Sequence, residues 1–474
     1  TESGHYGLVT GEPTIYYNMA KVIEQCQVAP PPGSGAAAEL TLPLTYFDHV
    51  WLMFHRIRRI LFYKLPISKL DFVKNIIPPL KNSLSLALKH YTPLSGKVAC
   101  PRNLDNGYPE LRYVTGDSVS VTFSETDMDF NHLIGDHPRD AKDFYHLVPQ
   151  LAEPKDAPGF QLAPVLAIQV TLFPNLGVSI GFTNHHAAGD GATIVGFIRA
   201  WAILHKFGGH EQFLSNEYIP FYDGSVIKDP YGLNMSIWEE MKKFNLEMRD
   251  IVTPPEHKVR GTFTIRRDDI AKLKNFILSR CQSSTTHVTS FTVTCAYVWT
   301  CLIKTKDATT EETNDDVVEF FGCAADCRTK FNPPIPQSYF GNCIVAYLAS
   351  TRHVELAGKE GFTIGARLIG EAIQKRMKDE EWILNGSWFR DYGKVDVNRS
   401  FSVAGSPKFD LYAADFGWGR AAKLEFISLD SDNGISMSIS KSKDFEGDLE
   451  VGLSLSRARM NAFAAIFNHG LSFL

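Results

Sequence analysis

Phe182-Thr183-Asn184-His185-His186-Ala187-Ala188-Gly189-Asp190-Gly191 is the stretch whose reading decides the fold. The residues leading into it, Val178-Ser179-Ile180-Gly181-Phe182, alternate with the two-residue period of a half-buried strand. Behind it, apolar residues at Ile194, Phe197, Ile198, Trp201 and Leu204 recur at helical spacing. A strand therefore ends on a histidine pair, Gly189 and Gly191 permit the tight turn, and a helix begins at once. A histidine at a strand tip can present one ring nitrogen to a cleft while a backbone carbonyl holds the other. With an unperturbed pKa of about 6.5, it can accept a hydroxyl proton near neutrality, which makes His186 a candidate general base. Asp190 has two readings: a carboxylate that orients the histidine, or an anion that ties the turn to a distant arginine. The sharp Gly-Asp-Gly turn favours the second. A bare H-x-x-x-D occurs by chance in many chains; the tandem histidines followed by A-A-G-D-G behind an alternating strand are more demanding.

Working outward, 474 residues exceed what one core usually organises, so two domains are expected. Residues 1–18 read as an extension, non-native or alternative, 19–209 as an N-terminal domain carrying the histidine motif, 210–233 as a crossover loop rich in Pro and Gly, and 234–474 as a C-terminal domain. A hydrophobic share of 44% and a charged share of 21% are those of an ordinary globular chain, and a net charge of −5 argues against a nucleic-acid partner. The eight cysteines form no C-x-x-C pair and several lie in apolar segments such as Val293-Thr294-Cys295-Ala296, as expected of reduced thiols in a cytoplasmic protein with no metal. No run of 18 apolar residues appears, and neither a membrane partner nor an oligomer is implied; the polar composition is compatible with a monomer.

In the N-terminal half, 50–63 reads as a strand whose Arg56, Arg58 and Arg59 form a solvated face, and 70–91 as a helix kinked or broken at Pro78 and Pro79. The strand pair 165–173 and 176–182 leads into the histidine turn. In the other half, helices are expected over 268–281, 288–303, 362–378 and 457–467, with strands near Gly261, Val317, Asp410, Leu424, Ser436 and Leu449. A second signature, Asp415-Phe416-Gly417-Trp418-Gly419, lacks the companions of a kinase D-F-G and reads as a tight structural turn.

His186-Ala187-Ala188-Gly189-Asp190 followed by Asp415-Phe416-Gly417-Trp418-Gly419, in this order and in a chain of this length, resembles the plant BAHD family of coenzyme A-dependent acyltransferases over nearly the whole sequence. Tyr339-Phe340-Gly341-Asn342-Cys343 resembles the mark of the branch that acylates anthocyanin, flavonoid and phenolic glucosides, most often with malonyl. The resemblance implies an α/β fold of two similar mixed-sheet domains of the chloramphenicol acetyltransferase-like type, with a channel between them. It also implies malonyl-CoA as donor substrate rather than a bound cofactor, a phenolic glucoside as acceptor, and a ternary complex in which His186 deprotonates a sugar hydroxyl, usually the 6-hydroxyl. Asp190 matches the family's structural aspartate, for which Arg328 is the candidate partner. The Asp415 to Gly419 loop would lie beside the channel, Trp418 offering a donor to the oxyanion.

Tyr339 and Asn342 are candidates for contact with donor or acceptor. Thr289 and Ser290 open a helix whose N-terminus could meet CoA phosphates, although capping explains them equally well. Lys408 is a candidate cation for the malonyl carboxylate, or a plain surface lysine. Acetyl or hydroxycinnamoyl transfer, a carrier-dependent condensation domain and a non-catalytic ligand-binding relative are the competing readings.

Overall fold

The computed structural model describes residues 20–33, 38–103, 107–244, 246–280, 288–308, 315–376, 380–430 and 434–472, so the extension expected over 1–18 lies outside the described residues. Its frame is two large mixed sheets and one small one. The six-stranded sheet runs Ala20–Val28, Val119–Thr126, Leu166–Phe173, Gly177–Asn184, Ile57–Lys64, Lys423–Phe426. The seven-stranded sheet runs Ile344–Arg352, Val318–Asp326, Ser400–Ala404, Ile435–Lys441, Leu449–Ser456, Lys258–Ile265, Arg139–Asp140. Each sheet takes its last strand from the other half of the chain, so strand membership crosses the boundary expected at 210–233.

The histidine strand Gly177–Asn184 is central in its sheet and buried at every position, because Leu166–Phe173 and Ile57–Lys64 flank it edge to edge. On one face pack the helices Ile77–His90 and Gly191–Lys206, joined where the Trp201 indole donates to Ser83 Oγ at 3.1 Å. The helix expected over 70–91 is broken beside Pro78 and Pro79, as their missing N–H groups predict. The prolines occupy the opening turn of Ile77–His90, where a missing N–H leaves no bond unmade, behind a π-helical turn at Phe72–Ile76. A second core of the seven-stranded sheet and the helices Ser290–Ala308, Gly361–Arg376 and Arg457–Ser472 fills the other half. The strand expected near Asp410 is instead a 3-10 turn at Leu411–Ala413.

The arginines of the Ile57–Lys64 region overturn the expectation of a solvated face: Arg56, Arg58 and Arg59 are 4%, 6% and 6% exposed. Arg58 pairs with Asp250, itself buried, and Arg56 donates to Met248 O at 2.8 Å. Those partners come from the segment after the crossover, so no local pattern announces them.

Candidate active site

The turn that leaves the histidine strand separates its two histidines by role. His185 is fully buried, and its Nδ1 accepts the Ala187 N–H at 3.2 Å as the cap of the 3-10 turn His186–Ala188. His186 keeps part of its surface open, and its ring stacks on Trp51, with centroids 3.8 Å apart and planes 11° from parallel, while Phe54 meets it edge-on at 5.8 Å. Nδ1 of His186 is buried and makes no hydrogen bond of normal geometry, and stacking on Trp51 fixes the ring plane. Nε2 is left for a hydroxyl. Burial, helped by the nearby Arg59 charge, lowers the His186 pKa to about 4 against the opposing pull of its own backbone and of Asp190, which keeps the imidazole neutral and able to accept a proton at pH 7.

Asp190 faces away from that ring. Its Oδ1 caps the helix Gly191–Lys206 by accepting the Ala192 and Thr193 N–H groups at 3.1 and 3.2 Å. Its Oδ2 accepts Arg328 Nη1 at 2.9 Å and the Cys343 N–H at 3.0 Å, and Arg328 Nη2 reaches Oδ1 at 3.2 Å. The pair is wholly enclosed, the side chains 0% and 1% exposed. Burial opposes the Arg328 charge, but the Asp190 carboxylate outweighs it and raises the pKa. The structure thus brings Asp190 and Arg328 together in the anchoring arrangement.

Tyr339 and Asn342 stand in this brace rather than on an open wall. Tyr339 is 4% exposed, its carbonyl accepts Arg328 Nη2 at 3.1 Å, and Arg328 lies over its ring. Asn342 Nδ2 donates to the His186 carbonyl and to Asp48 Oδ1, both at 2.9 Å. Between them Gly341 adopts φ 131°, and a Cβ there would lie 3.2 Å from the Tyr339 ring. Asp48 is a residue that sequence reasoning missed. Its Oδ2 accepts both N–H and Oγ1–H of Thr45 at 2.8 Å, a capping box on the helix Tyr46–His49, and its other oxygen reaches the Asn342 amide. Thr45 followed by an acid three residues on was the available signal.

The Asp415 to Gly419 loop is placed elsewhere. Asp415 pairs with Lys206 Nζ at 2.7 Å and accepts the Gly417 and Gly419 N–H groups at 2.8 Å, while His205 Nδ1 meets Phe416 O at 2.6 Å. These contacts lie at the far end of the helix Gly191–Lys206, whose 16 residues span about 24 Å from the histidine turn. Trp418 packs among Tyr63, His205 and Phe416, so it cannot serve an oxyanion at His186. Thr289 Oγ1 accepts the Thr292 N–H at 3.1 Å and so caps the helix Ser290–Ala308; none of the described contacts links it or Ser290 to the histidine turn. Lys408 is exposed, yet its neighbour Phe409 closes on the turn: a Cβ on Gly191 would lie 2.9 Å from that ring. Among the described residues no helix is long and apolar enough to cross a membrane, and no group of three or more metal-ligating side chains gathers.

The family model described as "Transferase family" matches residues 27–469. The chain is 74% identical to phenolic glucoside malonyltransferase 1 of Nicotiana tabacum over 96% of this chain and 100% of that one. It is 43% identical to malonyl-coenzyme:anthocyanin 5-O-glucoside-6'''-O-malonyltransferase of Salvia splendens over 94% of each. Among solved structures, vinorine synthase superposes with a TM-score of 0.66 at 19% identity, covering 94% of this chain and 96% of that one, which supports the two-domain acyltransferase fold. The sequence match across residues 27–469 makes this chain a member of the transferase family, the BAHD acyltransferases.

Proposed function

We propose that the chain transfers malonyl from malonyl-CoA to a sugar hydroxyl, the 6-position, of phenolic or flavonoid glucosides. The observation that carries this reading is the 74% identity, over the full length of the tobacco relative, to an enzyme named for that activity. In this reading the glucoside hydroxyl donates its proton to Nε2 of His186 as the oxygen attacks the thioester carbonyl carbon. The tetrahedral adduct collapses, the carbon–sulfur bond breaks, and the proton on His186 passes to the departing CoA thiolate. Donor and acceptor react in one ternary complex, with no covalent acyl-enzyme. The stacked Trp51 holds the imidazole plane, and the Asn342 bond to its carbonyl holds the backbone beneath it.

The test is steady-state CoA release with a naphthol or flavonol glucoside, comparing malonyl-CoA with acetyl-CoA and a hydroxycinnamoyl-CoA. Malonyl-CoA is expected to be preferred, and His186→Ala to lose a factor of about 10²–10⁴ in kcat, the usual contribution of a general base. Because the folded pKa of His186 lies near 4, below its unfolded value, the base is neutral from pH 5 upward, and the acid limb of kcat/KM should fall well under 6.5. A His186→Ala enzyme that retains most of its kcat overturns the general-base role, and a limb at 6.5 or above overturns the depression of its pKa by burial.

A further inference from the structure

All three arginines at the start of the strand Ile57–Lys64 leave a buried Nε without a partner, but two of them bond through their terminal nitrogens and one does not. Arg56 donates to the Met248 and Phe54 carbonyls, and Arg58 to Asp250 and to the Arg56 carbonyl. Arg59 is as deeply buried as either, at 6% exposure, and among the described residues no hydrogen bond or ion pair reaches its side chain; its Nε is an enclosed donor with nothing to bond. Strand register sets it opposite Phe182 on the histidine strand and opposite Phe426 on the other side, on the sheet end from which His186 projects. Its charge is felt at the His186 ring, and no carboxylate acts on it in return; burial alone lowers its pKa, to about 10, so it remains a cation at pH 7.

A guanidinium removed from water with no counter-ion is destabilising unless an anion arrives to pair with it. The donor of the proposed reaction carries one: in a malonyl thioester a single methylene separates the carboxylate from the carbonyl carbon that must lie at His186. We propose that Arg59 is the binding site for the free carboxylate of the acyl donor, and so the residue that selects malonyl over acetyl; this rests on the malonyl-transfer reading above. The planar fork of Arg59, already desolvated, takes the carboxylate in two parallel N–H···O bonds without further loss of hydration. An acetyl group in the same place leaves the cation unpaired. Lys408, the alternative cation, is exposed and hydrated, so it has far less to gain from the same carboxylate. Pairing has a second effect. The donor's carboxylate neutralises the charge that lowers the His186 pKa, so the base gains proton affinity when the donor is seated.

The experiment measures kcat/KM for malonyl-CoA and acetyl-CoA with one phenolic glucoside in wild type, Arg59→Gln and Arg59→Lys, together with the rise in melting temperature that each donor produces. The malonyl-to-acetyl ratio is expected to fall about 30-fold in Arg59→Gln, the worth of a charge-assisted hydrogen bond, and to recover in part in Arg59→Lys. The extra thermal protection that malonyl-CoA gives over acetyl-CoA should vanish in Arg59→Gln. In wild type, malonamoyl-CoA, the neutral amide isostere, should lose a similar factor, a measurement that needs no variant to fold. An unchanged ratio in Arg59→Gln, an equal fall for both donors, or full activity with the amide overturns the assignment of Arg59. Wild type without any preference for malonyl-CoA would instead sink the malonyl-transfer reading itself.

Discussion

The two ends of the helix Gly191–Lys206 are each fastened by a carboxylate and a cation, yet the two fastenings differ in kind. At the first end Asp190 and Arg328 are sealed from solvent and every oxygen of the carboxylate is used, by the guanidinium and by backbone N–H groups of two separate segments. At the other end Lys206 and Asp415 meet with 42% and 25% of their side chains exposed, and Asp415 spends its second oxygen on its own turn. Both are family motifs, and both are salt bridges by distance. Only the enclosed one braces the turn that carries His186, and there neither water nor salt can substitute for a lost partner.

The sharpest way to break this comparison is Asp190→Asn. Leaving Arg328 buried beside a neutral amide should lower stability by about 3–5 kcal/mol and kcat for malonyl transfer by at least about 100-fold, read by thermal melting and by steady-state kinetics. A variant that melts like wild type would mean that the enclosure described for Arg328 is not a constraint. Asn342→Ala tests the next link, since it removes the side-chain bonds to the His186 carbonyl and to Asp48 and leaves the Asn342 N–H on Asp48. A loss of about 2 kcal/mol is expected, with the effect on activity in kcat rather than KM, because the base is displaced and not the substrates. Lys206→Ala addresses the open end. There the change in stability should stay within about 1 kcal/mol and shrink further in 0.5 M salt, with malonyl transfer unaffected. An effect as large as that of Asp190→Asn would erase the distinction between the two ends.

Local signals were enough for the histidine strand, its turn and the helix behind it, because alternation, paired glycines and a 3.6-residue apolar rhythm all act within one window. The same holds for the helix that closes the chain, expected over 457–467 and found as Arg457–Ser472. Pro78 and Pro79 were legible too: the α-helix restarts at Ile77 behind a π-helical turn, so the prolines fall in an opening turn where the missing N–H is harmless. What could not be read were contacts made across the chain. Arg56 and Arg58 look solvated until the segment carrying Met248 and Asp250 folds over them, 192 residues later. Asn342 looks like a substrate contact until Asp48, 294 positions earlier, is seen to receive its amide. Arg59 was hidden for a further reason: what distinguishes it from its neighbours is a partner it lacks, and sequence patterns report what residues are, not what they fail to meet.

The exchange of edge strands has a mechanical meaning. Lys423–Phe426 completes one sheet and Arg139–Asp140 the other, and the two borrowed segments are locked to each other through Arg139 and Glu425 at 2.6 Å, with Arg260 bridging from Glu425 at 3.2 Å to Asp430 at 2.6 Å. The two halves are clasped hands rather than beads on a string. Severing the crossover loop would leave them holding, while either half made alone would expose a bare sheet edge and a buried charge without its counterpart, so the chain melts and assembles as a single unit.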